Sequence, residues 1–307
     1  MSAAAGTQHQ RGWPEVRGTY RFDAPLAPTN WFGVGGPAEL LFKPADTEDL
    51  ARFLAALPAD VPVLPIGVGS NLIIRDGGVR GAVIRLGRGF TGLSMRGDLV
   101  EAGAAVLDLH LARFAAEHGR GGLEFFAGIP GTVGGAVAMN AGAYGSETKD
   151  VLVEVEAVDR SGRIVRIPVA ECHYSYRHYG GAEGLIFTRA WFRTEPDTPE
   201  AVHGRIEEIR RQREATQPIR ERTGGSTFKN PPGKKAWELI DHAGCRGLAR
   251  EGAEISPLHC NFMINTGTAT AAALEALGEE VRARVAADSG VTLEWEIKRV
   301  GNVSPDL

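Results

Sequence analysis

Gly128-Ile129-Pro130-Gly131-Thr132-Val133-Gly134-Gly135-Ala136-Val137-Ala138-Met139-Asn140-Ala141-Gly142-Ala143-Tyr144-Gly145 is the stretch from which the fold is read. Six of these eighteen residues are glycine and none is charged, so this is no ordinary solvated loop. Glycine lacks a Cβ and reaches positive φ, at an entropic cost on folding. A chain that accepts that cost repeatedly brings its backbone close to something. The residues alone leave two readings. Successive exposed N–H groups form an anion-binding nest, for which a diphosphate is a fitting guest. Equally, the stretch is a tight turn packed between buried strands.

A second glycine turn precedes it. Pro65-Ile66-Gly67-Val68-Gly69-Ser70-Asn71-Leu72-Ile73-Ile74 leads from one short apolar strand into another, since the β-branched Ile73 and Ile74 favour extended chain. A Rossmann loop opens a helix instead, so this is a turn between strands that suits phosphate. Upstream, residues 44–49 start a helix with a capping side chain and acids in its first turn. Leu50, Phe53, Leu54 and Leu57 then recur at i, i+3, i+4, i+7 as one buried face, closed by Pro58. With strands at 39–42 and 63–66 the pattern is β-α-β. Residues 82–86 and 99–102 read as strands, and 107–118 as a helix ended by Gly119.

Downstream, residues 151–159 alternate: Val151, Val153, Val155 and Ala157 face one way, Glu154 and Glu156 the other. Arg160-Ser161-Gly162 turns the chain into 163–168, a hairpin with one wet face. Residues 185–192 form another strand. The polar, proline-interrupted run 194–199 reads as a domain boundary. Beyond it come a helix at 200–214, with Val202, Ile206 and Ile209 inward, and a short helix at 235–243. A strand at 261–265, a helix at 270–287 and a final strand at 293–300 complete the chain. The class is α+β. Its expected divisions are a loose tail 1–18, subdomains 19–86 and 87–197, a third domain 198–300, and a C-terminal tail 301–307.

Composition narrows the function. With 307 residues, 43% of them hydrophobic, the chain can build two or three cores. A net charge of −4 gives no reason to expect nucleic acid or an anionic membrane surface. No run of about 18 apolar residues suggests a membrane span, and the first residues lack the apolar core of a signal peptide. Cys172, Cys245 and Cys260 are odd in number and lack CxxC spacing, which fits a reducing cytoplasm. The eight histidines show no ligand spacing, so no metal is expected. Residues 205–235 run against the overall balance, with nine Lys/Arg and four Asp/Glu. Part of this is a solvated helix face. The excess also supplies the field that an acidic nucleotide needs.

Three places can carry chemistry. Gly224-Gly225-Ser226-Thr227-Phe228-Lys229-Asn230-Pro231-Pro232 lets the backbone bring one hydroxyl close to a ligand. The nucleophile elbow of hydrolases is absent, so Ser226 fits a proton donor to a strongly basic carbon, or simply a Ser/Thr turn. Tyr174-Ser175-Tyr176-Arg177 sets a cation among aromatics, to hold a carboxylate or to stack on a tyrosine at the surface. Glu294 and Glu296 lie two apart and on a strand share a face. The residues themselves do not choose between them.

In order and spacing, Gly67-Val68-Gly69-Ser70-Asn71, Gly128–Gly135, Gly142-Ala143-Tyr144-Gly145, Tyr176-Arg177, Gly225–Pro231 and Glu296-Ile297-Lys298-Arg299-Val300-Gly301 resemble the UDP-N-acetylenolpyruvoylglucosamine reductase family, the flavoenzymes of peptidoglycan synthesis. The resemblance spans about residues 30–301. It points to the shorter, type II form, for which no lid tyrosine is assigned. It implies the FAD-binding fold of the vanillyl-alcohol-oxidase type, two α+β subdomains with a C-terminal α+β substrate domain. Non-covalent FAD then lies along Gly67, Val68, Gly69, Ser70, Asn71, Gly128, Ile129, Pro130, Gly131, Thr132, Gly134, Gly135, Asn140 and Gly142. The resemblance implies NADPH as the reductant, where the residues alone do not separate it from NADH. UDP-N-acetylglucosamine enolpyruvate follows it into the site and receives hydride at C3. Arg177 and Glu296 are the implied stabilisers of the developing charge, and Ser226 the proton donor to C2. Glu296 is chosen because it directly precedes the Ile-Lys-Arg-Val-Gly run. Tyr144, Tyr176, Gly225, Lys229, Asn230, His259 and Asn261 are the implied substrate contacts. A cytoplasmic monomer is expected. The alternatives are a flavin oxidase of the same fold acting on a small alcohol or phenol, and a non-catalytic nucleotide-sugar binding module. A dehydrogenase with bound nicotinamide is disfavoured by the strand that follows Gly67.

Overall fold

Strands Thr19–Pro25, Pro37–Lys43, Val79–Arg85 and Val63–Ile66 lie side by side in that order in the computed structural model, which describes residues 12–304. Thr19–Pro25 is antiparallel to its neighbour, while Pro37–Lys43 and Val63–Ile66 each run parallel to Val79–Arg85. Helix Thr47–Ala56 makes the expected crossover. The Asp46 carboxylate accepts the Asp49 N–H at 2.9 Å and caps it. Its face of Leu50, Phe53 and Leu54 packs on Leu40, Phe42 and Ile84. The other side of the sheet holds Leu26, Leu41, Ile66 and Val83. Covered on both faces, these strands read as apolar runs rather than alternations.

The expected loose tail 1–18 needs correction where it is described. Trp13 and Val16 pack on the first core. The buried Asp49 carboxylate accepts N–H groups from Arg17 at 2.7 Å, Gly18 at 2.9 Å and Ala45 at 2.9 Å. Residues 1–11 lie outside the described residues, as do 305–307 of the C-terminal tail. Asn302 exchanges backbone hydrogen bonds with the turn at residues 77–78.

The second sheet is antiparallel throughout, in the order Ile164–Pro168, Leu152–Val158, Ile186–Arg193, Leu99–Gly103, Leu93–Arg96. The alternation expected from Val151 is interrupted by a register shift between Leu152 and Glu154. Leu152, Val155 and Ala157 therefore point into the core, and Val151 ends the short helix Thr148–Val151. Helices Asp108–Glu117 and Val133–Met139 contribute Leu111, Ala115, Val133 and Val137 to the same core. So does helix Pro199–Thr216, through Val202, Ile206 and Ile209. By packing, that helix goes with the second unit, and the boundary expected at 197/198 moves to its far end. The proline-interrupted run is a helix start: Thr198 Oγ1 accepts the Ala201 N–H at 3.3 Å, and Pro199 sits in the first turn.

The third unit sets strands Arg222–Ser226, Phe262–Asn265, Ala253–Ile255 and Ala249–Arg250 against helices Ala236–His242 and Ala271–Ser289. Its core takes in Phe32 and Ile73 from the first unit. The final strand is shorter than expected: Lys298–Val300 pairs in parallel with Leu72–Ile74, and Trp295 makes an isolated antiparallel bridge to Phe228. Residues 293–297 run irregularly beside 227–229, with the Lys229 N–H on Glu294 O at 2.8 Å and the Glu296 N–H on Thr227 O at 2.9 Å. The end of the chain thus returns to the strand that leaves the first glycine turn.

Candidate active site

Two clefts open along the two glycine turns. The inner one, about 750 Å³, is walled by Gly67, Val68, Thr132, Gly134 and Gly135. The outer one, about 880 Å³, is walled by Ser70, Asn71, Gly128, Ile129, Pro130 and Gly142. Each turn therefore passes from one cleft to the other. The turns interlock: a Cβ on Gly67 would stand 2.7 Å from Thr132 Oγ1. The N–H groups of Val68, Gly69 and Ser70 find no protein acceptor among the described residues. An uncharged wall offering unclaimed N–H donors fits a diphosphate. Gly69 and Gly131 support this wall from behind: a Cβ would reach Asn30 at 2.6 Å and the Asp108 carboxylate at 2.7 Å respectively.

Arg177, Ser226 and Glu296 all line the outer cleft. Arg177 sits at φ 55, a backbone region uncommon for a side-chain-bearing residue. Its Nε lies 2.8 Å from Glu296 Oε1, and its Nη2 donates to Gly142 O at 2.8 Å. The guanidinium also covers the Tyr176 ring at 4.8 Å. The Glu296 side chain is 14% exposed, against 75% for Glu294, which reaches out to Lys229 at 3.5 Å. The two glutamates therefore do not share a face, because the segment carrying them is not a regular strand. Burial pushes the Glu296 carboxyl up even with Arg177 beside it, which favours its proton-bearing form. Asn71 fixes this segment to the first glycine turn by donating to Glu296 O at 3.2 Å.

Ser226 ends the strand Arg222–Ser226, after a register shift between Thr223 and Ser226. Gly225 makes that shift with φ +77. A Cβ on Gly224 would collide with the Phe32 ring at 2.4 Å. Both glycines are thus needed to carry the serine into the cleft, one for conformation and one for space.

Several of the expected contact residues also bond within the protein. Asn140 is fully buried and holds the protein to itself, donating to Ser175 O at 3.0 Å and Glu147 Oε2 at 3.1 Å. Asn230 accepts the Ala236 N–H at 2.9 Å and caps a helix. Asn261 donates to Phe228 O at 2.8 Å and accepts the Phe228 N–H at 3.0 Å. These three amides thus bond main-chain groups of the protein. His259 packs edge-on against Phe262, and burial lowers its pKa. Tyr144 and Tyr176 are exposed beside the cleft, Tyr144 OH donating to Ile209 O at 3.3 Å. Lys229 and the other residues of this group stand outside the cleft lining, whereas Gly225 is in it.

Trp31, Arg213, Gln217, Thr223 and Phe262 line the outer cleft and were not singled out from the sequence. Only Arg213 left a signal, as one of the cations in the basic stretch. Burial lowers its pKa, and its Nε donates to Gln217 Oε1 at 3.3 Å. Among the described residues no helix is long and apolar enough to cross a membrane.

Comparison with known proteins agrees with this geometry. Residues 38–168 match the FAD binding domain family, and residues 217–300 match the C-terminal domain of UDP-N-acetylenolpyruvoylglucosamine reductase. The chain is 61% identical to a UDP-N-acetylenolpyruvoylglucosamine reductase of Parvibaculum lavamentivorans over 94% of its length and 93% of the relative's. It is 58% identical to one of Azorhizobium caulinodans, covering 94% of each. The crystal structure of the Thermus caldophilus reductase superposes with a TM-score of 0.81 at 34% identity, covering 93% of this chain and 99% of that one. A shared architecture, matching domains and near-full-length identity lead to one conclusion: the chain belongs to the UDP-N-acetylenolpyruvoylglucosamine reductase family.

Proposed function

We propose that the protein reduces UDP-N-acetylglucosamine enolpyruvate to UDP-N-acetylmuramate with NADPH, using FAD held along the two glycine turns. The observation that carries this reading is the meeting of Arg177, Glu296 and Ser226, from three distant parts of the chain, on one cleft that continues both turns. FAD, when bound, would supply the hydride chemistry that links NADPH to C3 of the enolpyruvyl group. Residues 67–69 and 131–135 would hold its diphosphate, while Ser70, Asn71 and Gly142 line the cleft that holds Arg177, Ser226 and Glu296.

The chain's own side chains do the rest. Hydride adds to C3 only if the conjugated carboxylate can take up charge, and the Arg177 guanidinium supports that charge. Glu296, whose carboxyl burial pushes up toward its proton-bearing form, hydrogen-bonds the same developing oxyanion. Ser226 delivers its hydroxyl proton to C2, a carbon basic enough at that moment to accept it. Hydride at C3 and proton at C2 complete the saturation of the double bond. Tyr144, Tyr176 and Lys229 stand at the rim, where the nucleotide sugar extends. NADPH and substrate are both polyanions, and the basic stretch 205–235, with Arg213 in the cleft wall, draws them in. The enzyme acts as a monomer in the cytoplasm, a setting that suits three free, buried cysteines.

A visible spectrum provides the test. The purified protein is yellow, is bleached anaerobically by NADPH, and regains colour on addition of the UDP substrate. Reoxidation by oxygen with a phenol or alcohol as electron donor, and none by the UDP substrate, favours an oxidase. A colourless protein that binds UDP favours a binding module.

A further inference from the structure

Among the described residues, Arg85 is the only charged one lining the inner cleft. It ends strand Val79–Arg85 and is registered with Ile66, the residue before the Gly67 turn. It is half-buried and shares the cleft lining with Leu86, Leu185 and Phe187. Among the described residues its guanidinium makes no ion pair and no hydrogen bond. A cation held against apolar walls without a partner loses hydration for nothing in return. An anionic guest removes that penalty, and a guanidinium suits phosphate oxygens in particular.

The reacting groups stand at the outer cleft, so on the reading proposed above the flavin ring lies there. The glycine turns then lead the remainder of the dinucleotide inward, past Gly67, Val68 and Gly135. We infer that Arg85 binds the adenylate half of FAD, its guanidinium on the phosphate nearer the adenosine, with the adenine against the apolar wall formed by Leu86 and Phe187. The inference rests on the FAD assignment but not on the substrate.

The test is titration of flavin-free full-length protein with FAD and, separately, with FMN, followed by flavin fluorescence. FMN carries the ring and one phosphate but lacks the adenylate. Arg85→Gln is expected to raise the Kd for FAD about 10- to 100-fold, the range of a lost charge-assisted hydrogen bond. Arg85→Lys is expected to lose less, since it keeps the charge. The Kd for FMN stays within about twofold of wild type in both variants, because nothing in FMN reaches Arg85. ADP competes with FAD for the wild-type protein and less well for Arg85→Gln. An unchanged Kd for FAD overturns the inference. So does equal weakening of FAD and FMN, which assigns Arg85 to the fold or the flavin end. If the glutamine variant fails to fold by circular dichroism, the lysine variant carries the same comparison. Wild-type protein that binds no FAD at all defeats the parent assignment instead.

Discussion

Arg177 Nε stands 2.8 Å from Glu296 Oε1, joining residues 119 positions apart, with side chains 17% and 14% exposed. Removing one member of such a pair strands the other without its partner. Arg177→Ala and Glu296→Gln should therefore act on one half-reaction. Flavin reduction by NADPH stays near wild type with FAD still bound, and transfer to the UDP substrate slows by about 10²-fold or more. Stopped-flow measurement of each half-reaction checks this; equal slowing of both would place the pair in cofactor binding.

The substrate half-reaction should carry an alkaline limb. Burial raises the Glu296 carboxyl, and the proposed active form bears the proton. The rate is then full at low pH and falls as pH rises through the elevated value. The NADPH half-reaction lacks this limb, and Glu296→Gln, which cannot ionise, should abolish it. A limb that persists in the variant belongs to another group.

Asp108 predicts a pH dependence of stability. Its carboxyl is fully buried beside Gly131, neither oxygen has a hydrogen-bond partner among the described residues, and burial pushes it well above its usual value. In the unfolded chain it ionises near about pH 4. The native state thus keeps a proton that the unfolded chain gives up. This stabilising contribution is complete below about pH 4 and drains away as pH rises toward the folded value. Asp108→Asn removes the drain. Between about pH 5 and about pH 9 its melting temperature should fall less than that of wild type. Parallel slopes would show that Asp108 does not titrate differently on folding.

Asn140 sits at φ 46, in the left-handed region that asparagine tolerates better than most residues. Its side chain also accepts the Lys149 N–H at 3.0 Å. Asn140→Ala strains the backbone and removes three part-buried hydrogen bonds, at a cost of about 2–3 kcal/mol. Because Ser175 accepts one of those bonds, the loop carrying Arg177 should loosen too. Thermal melts and substrate turnover should fall together; a stability loss with unchanged turnover would separate Asn140 from the positioning of Arg177.

Local signals in the sequence carried much of the fold. Leu50, Phe53 and Leu54 repeat with the period of a helix, and that helix is present. Ile73 and Ile74 lie in a strand after the glycine turn, as their β-branching implies. Ser226, Arg177 and Glu296 were found from motif order, and all three line one cleft. What the sequence does not show shares a physical cause. Asn140, Asn230 and Asn261 bond backbone groups that pattern and composition do not reveal. Glu294 and Glu296 separate because hydrogen bonds to residues 227 and 229 shape their segment in place of regular strand pairing. Trp31 and Thr223 reach the cleft only through long-range packing, so no neighbour in sequence marks them.

The most direct measurement is single-turnover reoxidation of NADPH-reduced Ser226→Ala protein by UDP-N-acetylglucosamine enolpyruvate, read as recovery of flavin colour. FAD binding and bleaching by NADPH are predicted to match wild type, while reoxidation slows by about 10²–10⁴-fold for want of a proton at C2. Reoxidation at the wild-type rate would contradict the account and remove Ser226 from the chemistry.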